Sequence, residues 1–433
     1  MQTTPKSLRL QIGIFGRTNV GKSSFLNMVA GQDVAITSSV PGTTTDVVEK
    51  TMELLPVGPV VFLDTAGLDD ISDLGSRRAE RSRKIFDRSD VSILIVEADR
   101  WTDHEEEVIR EAGERKSPLI LVVNKCDLRE PAPAFLETLR VKSQRVIVCA
   151  STDRSKRDAA VNLLKQYLLE VCPEDYLTAP ALLGDIMPKG GLAVLIIPVD
   201  FEAPRGRIIL PQAQAIRDAL DHGSMTLVVK EKEYKAALAK LKSLPDLVVC
   251  DSRIVDRMVA ETPEGVRCTT FSILFSRLKG DIAEMTRGAF AIGNLKKGDK
   301  VLISESCSHH AIEGDIGRIG IPLWLKKHLG FEVETRVAAG RDFPPEISEY
   351  RLIIQCGSCM LTRRETLARI QKAKQAGVPI TNYGLCISYL RGVLERVIEP
   401  FPEAREVYQG SGHPAKTRCW NKDQDRVLEG GKS

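Results

Sequence analysis

The chain has 433 residues, 43% hydrophobic and 27% charged, which is too long for one core and predicts two to four globular domains. Its 61 basic and 58 acidic side chains leave a formal net charge of +3, too even for general electrostatic capture of nucleic acid, so no nucleic-acid partner is expected. No apolar run approaches the ~18 residues of a membrane span, and Met1-Gln2-Thr3-Thr4-Pro5-Lys6 lacks the apolar centre of a secretory signal, so no membrane partner and a cytoplasmic location are expected.

The first predicted strand, 10–15, runs into Gly16-Arg17-Thr18-Asn19-Val20-Gly21-Lys22-Ser23, and a helix opens at Ser24. Strand, glycine-rich loop and helix in that order form a phosphate loop. Gly16 and Gly21 let successive N–H groups turn onto phosphates, and Ser23 and Ser24 start the helix whose positive end faces the anion. Lys22 reaches the β and γ oxygens, and Ser23 ligates magnesium. The polar stretch Pro41-Gly42-Thr43-Thr44-Thr45-Asp46 offers a hydroxyl to the same magnesium, with Thr44 preferred over Thr43 and Thr45.

Strand 60–63 ends in Asp64-Thr65-Ala66-Gly67. Asp64 is placed to hold a magnesium-bound water and the Gly67 amide to sense the γ-phosphate, a switch that reads hydrolysis. Strand 119–123 leads into Asn124-Lys125-Cys126-Asp127. The Asp127 carboxylate can accept hydrogen bonds from the ring N–H and the amine of guanine; adenine would leave it unpaired at a cost of roughly 1–3 kcal/mol. After strand 145–148, Cys149-Ala150-Ser151 offers the Ala150 amide to the guanine carbonyl. GTP and GDP are therefore the expected ligands, on a doubly wound parallel α/β sheet covering 1–172.

A second segment, 180–268, follows a linker at 177–188: strand 192–199, helix 212–220, strand 225–229, helix 231–241 and strand 246–250. It carries no catalytic constellation and reads as a small α/β module for dimerisation, or as a spacer. A third, 271–433, has strands 300–304, 350–355 and 378–381, with helices 323–329 and 364–376 between them and a charged tail after Gly410.

Ten cysteines in a cytoplasmic setting argue for metal ligands or buried thiols. Cys307-Ser308-His309 follows one strand of the third segment and Cys356-Gly357-Ser358-Cys359 another. In a parallel sheet the carboxyl ends share an edge, so Cys307, Cys356 and Cys359 can converge on a metal. An iron-sulfur cluster and a Cys3His zinc site completed by His309 both suit them, with a redox pair as a third reading. Cys386 is a further candidate ligand; Cys126, Cys149, Cys250 and Cys268 read as small buried hydrophobes.

Residues 8–170 resemble the GTPases of the Era and TrmE type, through Gly42-Thr43-Thr44-Thr45-Asp46 and Asn124-Lys125-Cys126-Asp127. That resemblance implies a potassium ion at Asn19. It also implies slow intrinsic hydrolysis, because Leu68 stands where Ras-like enzymes orient water with glutamine. Alone it would favour an RNA-modification or ribosome-assembly GTPase with a zinc-bearing accessory domain.

The whole chain, with Cys-x-His and a distant Cys-x-x-Cys downstream of a TrmE-like domain and a quiet module, resembles the maturation GTPases of the iron-iron hydrogenases. The resemblance implies a dimer through the middle domain and a 4Fe-4S cluster on Cys307, Cys356 and Cys359 in the third. It further implies a scaffold and carrier that receives a transient di-iron precursor from two radical-SAM maturases and delivers it to apo-hydrogenase. Gln355 stands where that family usually has histidine, which leaves His309, His310, Glu313, Asp315 or an open position for the fourth iron.

Overall fold

The computed structural model describes residues 5–31, 48–64, 75–173, 176, 180–198, 208–306, 315–340, 343–344 and 346–412. Residues 1–179 and 180–433 form two compact units.

The first unit alternates β1 (Leu10–Phe15), α1 (Lys22–Ala30), β2 (Val48–Leu54), β3 (Gly58–Asp64), α2 (Gly75–Arg88), β4 (Val91–Glu97), α3 (Asp103–Glu114), β5 (Leu119–Asn124), α4 (Pro133–Lys142), β6 (Val146–Val148) and α5 (Arg157–Val171). Its six strands lie in the order β2-β3-β1-β4-β5-β6. Ile12, Ile14, Val60, Phe62, Ile93, Ile95, Ile120 and Val122 share one core with residues of α1 and α5; Val61, Leu63, Leu94, Val96, Leu121 and Val123 share another with residues of α2, α3 and α4. Strands covered on both faces read as unbroken apolar runs, which made them legible in sequence.

The expected all-parallel sheet is mixed, because β2 pairs antiparallel with β3. Only residues 55–57 join the two, far fewer than a parallel crossover needs.

The second unit begins with β7 (Leu192–Ile196), α6 (Leu210–Asp221), β8 (Met225–Val229), α7 (Tyr234–Leu238), β9 (Leu247–Cys250), α8 (Val255–Glu261) and β10 (Arg267–Thr270). They form a parallel sheet in the order β10-β9-β7-β8. Next come α9 (Phe271–Lys279), α10 (Ile282–Phe290), β11 (Lys300–Ser304), α11 (Ile321–Leu329), β12 (Glu334–Ala338), β13 (Leu352–Gln355), α12 (Arg363–Gln375), β14 (Ile380–Asn382), α13 (Tyr383–Leu390), α14 (Leu394–Ile398) and α15 (Pro402–Gly410). The second parallel sheet is ordered β12-β11-β13-β14. One apolar cluster runs through both sheets from Leu182 to Ala404 and takes in Phe271, Ile273, Leu274 and Phe275 of α9.

Strands β10 and β12 were not expected, and the helix expected over 231–241 is confined to α7. The strand expected to reach residue 199 stops near Pro198, which has no N–H to continue the ladder. Among the described residues no helix is long and apolar enough to cross a membrane.

Candidate functional site

In both four-stranded sheets the chain leaves the first strand to one side and then crosses to the other. The crossing opens a crevice at the carboxyl edge, between β7 and β9 and between β11 and β13. In the first unit the same reversal lies between β1 and β4. Ligands of open α/β sheets collect at such points.

The phosphate loop leaves β1 at Gly16, whose φ of +142° and 2.4 Å clearance from an added Cβ to the Ile95 carbonyl exclude other residues. Asn19 is left-handed at φ +64°, and Gly21, the N-cap of α1, has φ +94°. The Lys22 ammonium donates to the carbonyls of Gly16 (2.8 Å) and Arg17 (3.0 Å), across the inside of the loop. Ser23 and Ser24 are exposed at the start of α1. Asp64 is buried at the carboxyl end of β3, opposite Ile14 of β1. Oxygen ligands of this kind, a hydroxyl and a carboxylate, suit magnesium. Thr44, Gly67 and Leu68 lie outside the described residues.

Asn124 joins the two halves of the nucleotide site. Its Nδ2 donates to the Val20 carbonyl at 3.0 Å, and its Oδ1 accepts from the Ser151 N–H (3.0 Å) and hydroxyl (2.7 Å). A Cβ on Gly21 would fall 2.3 Å from the same Nδ2, so the loop closes directly on this side chain. Lys125, left-handed at φ +60°, pairs with Glu97 at 2.6 Å, and the hydrogen bond it donates holds that carboxyl below its usual range. Asp127 is exposed, with the Thr152 hydroxyl 3.2 Å away, and Ala150, next to Ser151 in sequence, is buried.

Sequence reasoning missed the brace on the other side of the loop. Arg17 Nε donates to Glu105 at 2.7 Å, while Glu105 also caps α3 by accepting from the Thr102 N–H and hydroxyl. Burial alone would raise the Glu105 pKa, but these donors outweigh it and lower it.

At the edge of the last sheet, Ser304 of β11 and Gln355 of β13 are register partners. Ser306, one residue before Cys307, donates its N–H to Cys356 Sγ at 3.1 Å, and its hydroxyl lies 2.9 Å from the same sulfur. Burial pushes the Cys356 thiol up, and the Ser306 hydroxyl opposes it. A sulfur at a sheet's switch point that accepts from one N–H and touches a hydroxyl able to donate fits a thiolate ligand, whose negative charge such groups support. Cys307, His309, His310 and Glu313 lie outside the described residues.

The loop from Cys356 to Leu361 is tightly held. Ser358 is left-handed at φ +55°, a conformation that costs a non-glycine residue roughly 1–2 kcal/mol. Gln355 Nε2 donates to the Ser358 hydroxyl at 2.6 Å, and that hydroxyl to the Cys356 carbonyl at 3.2 Å. Gln355 is thus fully buried and turned onto the loop, with no hydrogen bond to its Oε1 among the described residues. Thr362 and Glu365 form a capping box that starts α12 directly after the loop.

Beneath the loop, Lys279 donates to the carbonyls of Ser358, Cys359 and Leu361. Burial pulls this ammonium down to about 8. Asp315 accepts from the Arg318 N–H at 2.9 Å as an N-cap, and Cys386 is packed inside the apolar core. Ser306 had a sequence signal in its position beside Cys307; Lys279 had none.

Comparison with known proteins follows the same division. A 50S ribosome-binding GTPase profile matches residues 11–125. The tRNA modification GTPase MnmE of Synechococcus sp. (strain JA-3-3Ab) is 44% identical over 130 residues, 29% of this chain and 26% of that protein. MnmE of Prochlorococcus marinus (strain NATL1A) is 32% identical over 170 residues, 38% of this chain and 34% of its own length. The chain thus spans about a third or less of these curated relatives. The G domain of the T. maritima FeoB iron transporter superposes with a TM-score of 0.30 at 19% identity, over 38% of this chain and 99% of that one.

The remainder matches two consecutive profiles, the hydrogen maturase F dimerization domain over 182–280 and its tetramerization domain over 283–400, descriptions that name self-association and so a homo-oligomer. With a GTPase domain followed by both of these modules, which together cover half of the sequence, the chain belongs to the hydrogen maturase F (HydF) family.

Proposed function

We propose that this HydF-family GTPase is a cytoplasmic scaffold and carrier. In this reading Cys307, Cys356 and Cys359 hold a 4Fe-4S cluster, and the chain passes a di-iron precursor, its cargo, from radical-SAM maturases to apo iron-iron hydrogenase. The domains divide as 1–172, 180–268 and 271–433, with dimerisation through the middle one. The observation that carries the reading is the Ser306 N–H donating to Cys356 Sγ, with the Ser306 hydroxyl in hydrogen-bond contact with the same sulfur, at the switch point one residue before Cys307.

Lys22 exchanges the carbonyls of Gly16 and Arg17 for β and γ phosphate oxygens, and the helix N-terminus at Ser23 and Ser24 adds its positive potential. Magnesium, held by Ser23, Thr44 and Asp64, would neutralise phosphate charge. Asn19 would hold potassium, which would supply the charge an arginine finger supplies elsewhere. With Leu68 unable to orient water, turnover is slow. Asp127 and the Ala150 amide select guanine, in a frame fixed by Asn124. Loss of the γ-phosphate frees the segments at Thr44 and Gly67 and changes affinity for maturases and hydrogenase.

Purified anaerobically, the protein should be brown, with roughly four irons and four sulfides per chain, and should hydrolyse GTP faster in potassium than in sodium. A colourless protein that binds zinc in their place would overturn the carrier reading in favour of the RNA-related one. Equal affinity of the GTP and GDP forms for the partners would overturn the switch.

A further inference from the structure

One buried ammonium in the second unit is held by backbone carbonyls and by no ion pair among the described residues. Lys279, the last residue of α9, is 2% exposed. Its Nζ donates to the carbonyl oxygens of Ser358 at 3.2 Å, Cys359 at 3.0 Å and Leu361 at 2.7 Å. An ammonium has three N–H donors, so all are used and the orientation is fully specified. Its position over the Phe275 ring, 5.5 Å from the centroid, comes from the same helix one turn earlier. Among the described residues no carboxylate forms an ion pair with it. Carbonyl dipoles satisfy its hydrogens, and only the longer-range attraction of Glu365 and of the two cysteines opposes the cost of burying its charge, an arrangement that an anion bound nearby would favour.

The other end of α9 touches the same sheet edge. The Ser272 hydroxyl accepts from the Gly384 N–H and from Asn382 Nδ2, both at 3.1 Å, and the Ser272 carbonyl accepts from Asn382 Nδ2 at 2.8 Å. A Cβ on Gly357 would sit 3.6 Å from the Ser272 hydroxyl, in ordinary contact. This helix therefore reaches the end of β14 with its first turn and the Cys-x-x-Cys loop with both ends. It closes the stretch matched by the dimerization profile, whereas the loop belongs to the tetramerization match.

We propose that Lys279 is a positioning residue through which α9, the helix that ends the dimerization-profile match, fixes the 356–361 loop and offsets the negative charge of a thiolate-held cluster. The second half rests on the cluster reading above; the first does not. A three-pronged grip on the carbonyls of Ser358, Cys359 and Leu361 stabilises the left-handed Ser358, and with it the spacing of the Cys356 and Cys359 sulfurs. The positive charge of the protonated Lys279 favours the more reduced, more negative cluster.

The test uses the full chain carrying Lys279→Met, Lys279→Gln or Lys279→Arg. In the metal-free protein, amide hydrogen exchange over residues 356–361 should be roughly tenfold or more faster in Lys279→Met and Lys279→Gln, as expected for losing hydrogen bonds to a charged donor. After anaerobic reconstitution both should release iron to a chelator roughly 10–100 times faster, with a more negative reduction potential. Lys279→Arg, which keeps the charge, should stay nearer the native potential than Lys279→Gln. Unchanged loop exchange in the Met and Gln variants overturns the proposal, and the Gln variant alone decides if Met prevents folding. Native protein that takes up no iron would sink the cluster reading while the exchange measurement still decides the grip.

Discussion

The two four-stranded sheets of the second unit have the same strand order and opposite chemistry at the same edge. In β9 the last residue, Cys250, is a register partner of Ile196 and is fully buried, its thiol pushed far up by burial. In β13 the last residue is Gln355, and the cysteine comes one place later, beyond the ladder, where the Ser306 N–H and hydroxyl meet it. One step along the chain moves a thiol from core filler to rim. The wiring supplies a crevice in both sheets; the residue just past the strand decides whether it holds chemistry.

The sharpest way to break this comparison is to exchange the two thiols' fates. Cys356→Ser should lose nearly all bound iron, whereas Cys250→Ser should keep it and cost about 1–3 kcal/mol of stability by burying a hydroxyl, read by iron analysis and urea unfolding. The opposite pattern would put the metal in the middle sheet. Asn124→Ala extends the edge argument to the first unit. It removes the bonds to Val20 and Ser151, and should cost roughly 2–3 kcal/mol in thermal unfolding and weaken GTP binding together.

A smaller effect is expected from Ser306→Ala, which removes the hydroxyl beside Cys356 but keeps the N–H. Iron should be released roughly tenfold faster to a chelator. Smallest is an alkaline one. Burial raises Cys268 to about 11 and Cys250 well above its usual range. A raised folded pKa gives stability that is complete below the unfolded value of about 8.5 and is lost as pH climbs toward the folded one. The urea midpoint should therefore fall between pH 8 and 10, and less so in Cys268→Ala.

Much of this was legible in the sequence because doubly covered strands announce themselves as apolar runs ending in functional loops. β1, β3, β5, β11 and β13 all did so, and each leads into a candidate site residue. Strand β12, Glu-Thr-Arg-Val-Ala, gave no such signal because it is an edge strand whose side chains are mostly half-buried or exposed. β2 was hidden for a different reason: its antiparallel pairing follows from the short connection to β3 and not from its own composition. Gln355 was readable as a departure from the family's histidine, but not that its amide would turn onto Ser358. Lys279 could not be found at all, since a lysine ending an apolar helix looks like an ordinary solvated C-terminus until three distant carbonyls close on it.

The account depends most on Cys307 joining the pair across the β11 and β13 crevice. Iron and sulfide analysis of anaerobically reconstituted Cys307→Ser beside native protein tests this directly. The account predicts that the variant loses its cluster as completely as Cys356→Ser does; a Cys307→Ser protein that keeps full iron, sulfide and visible absorbance would contradict it.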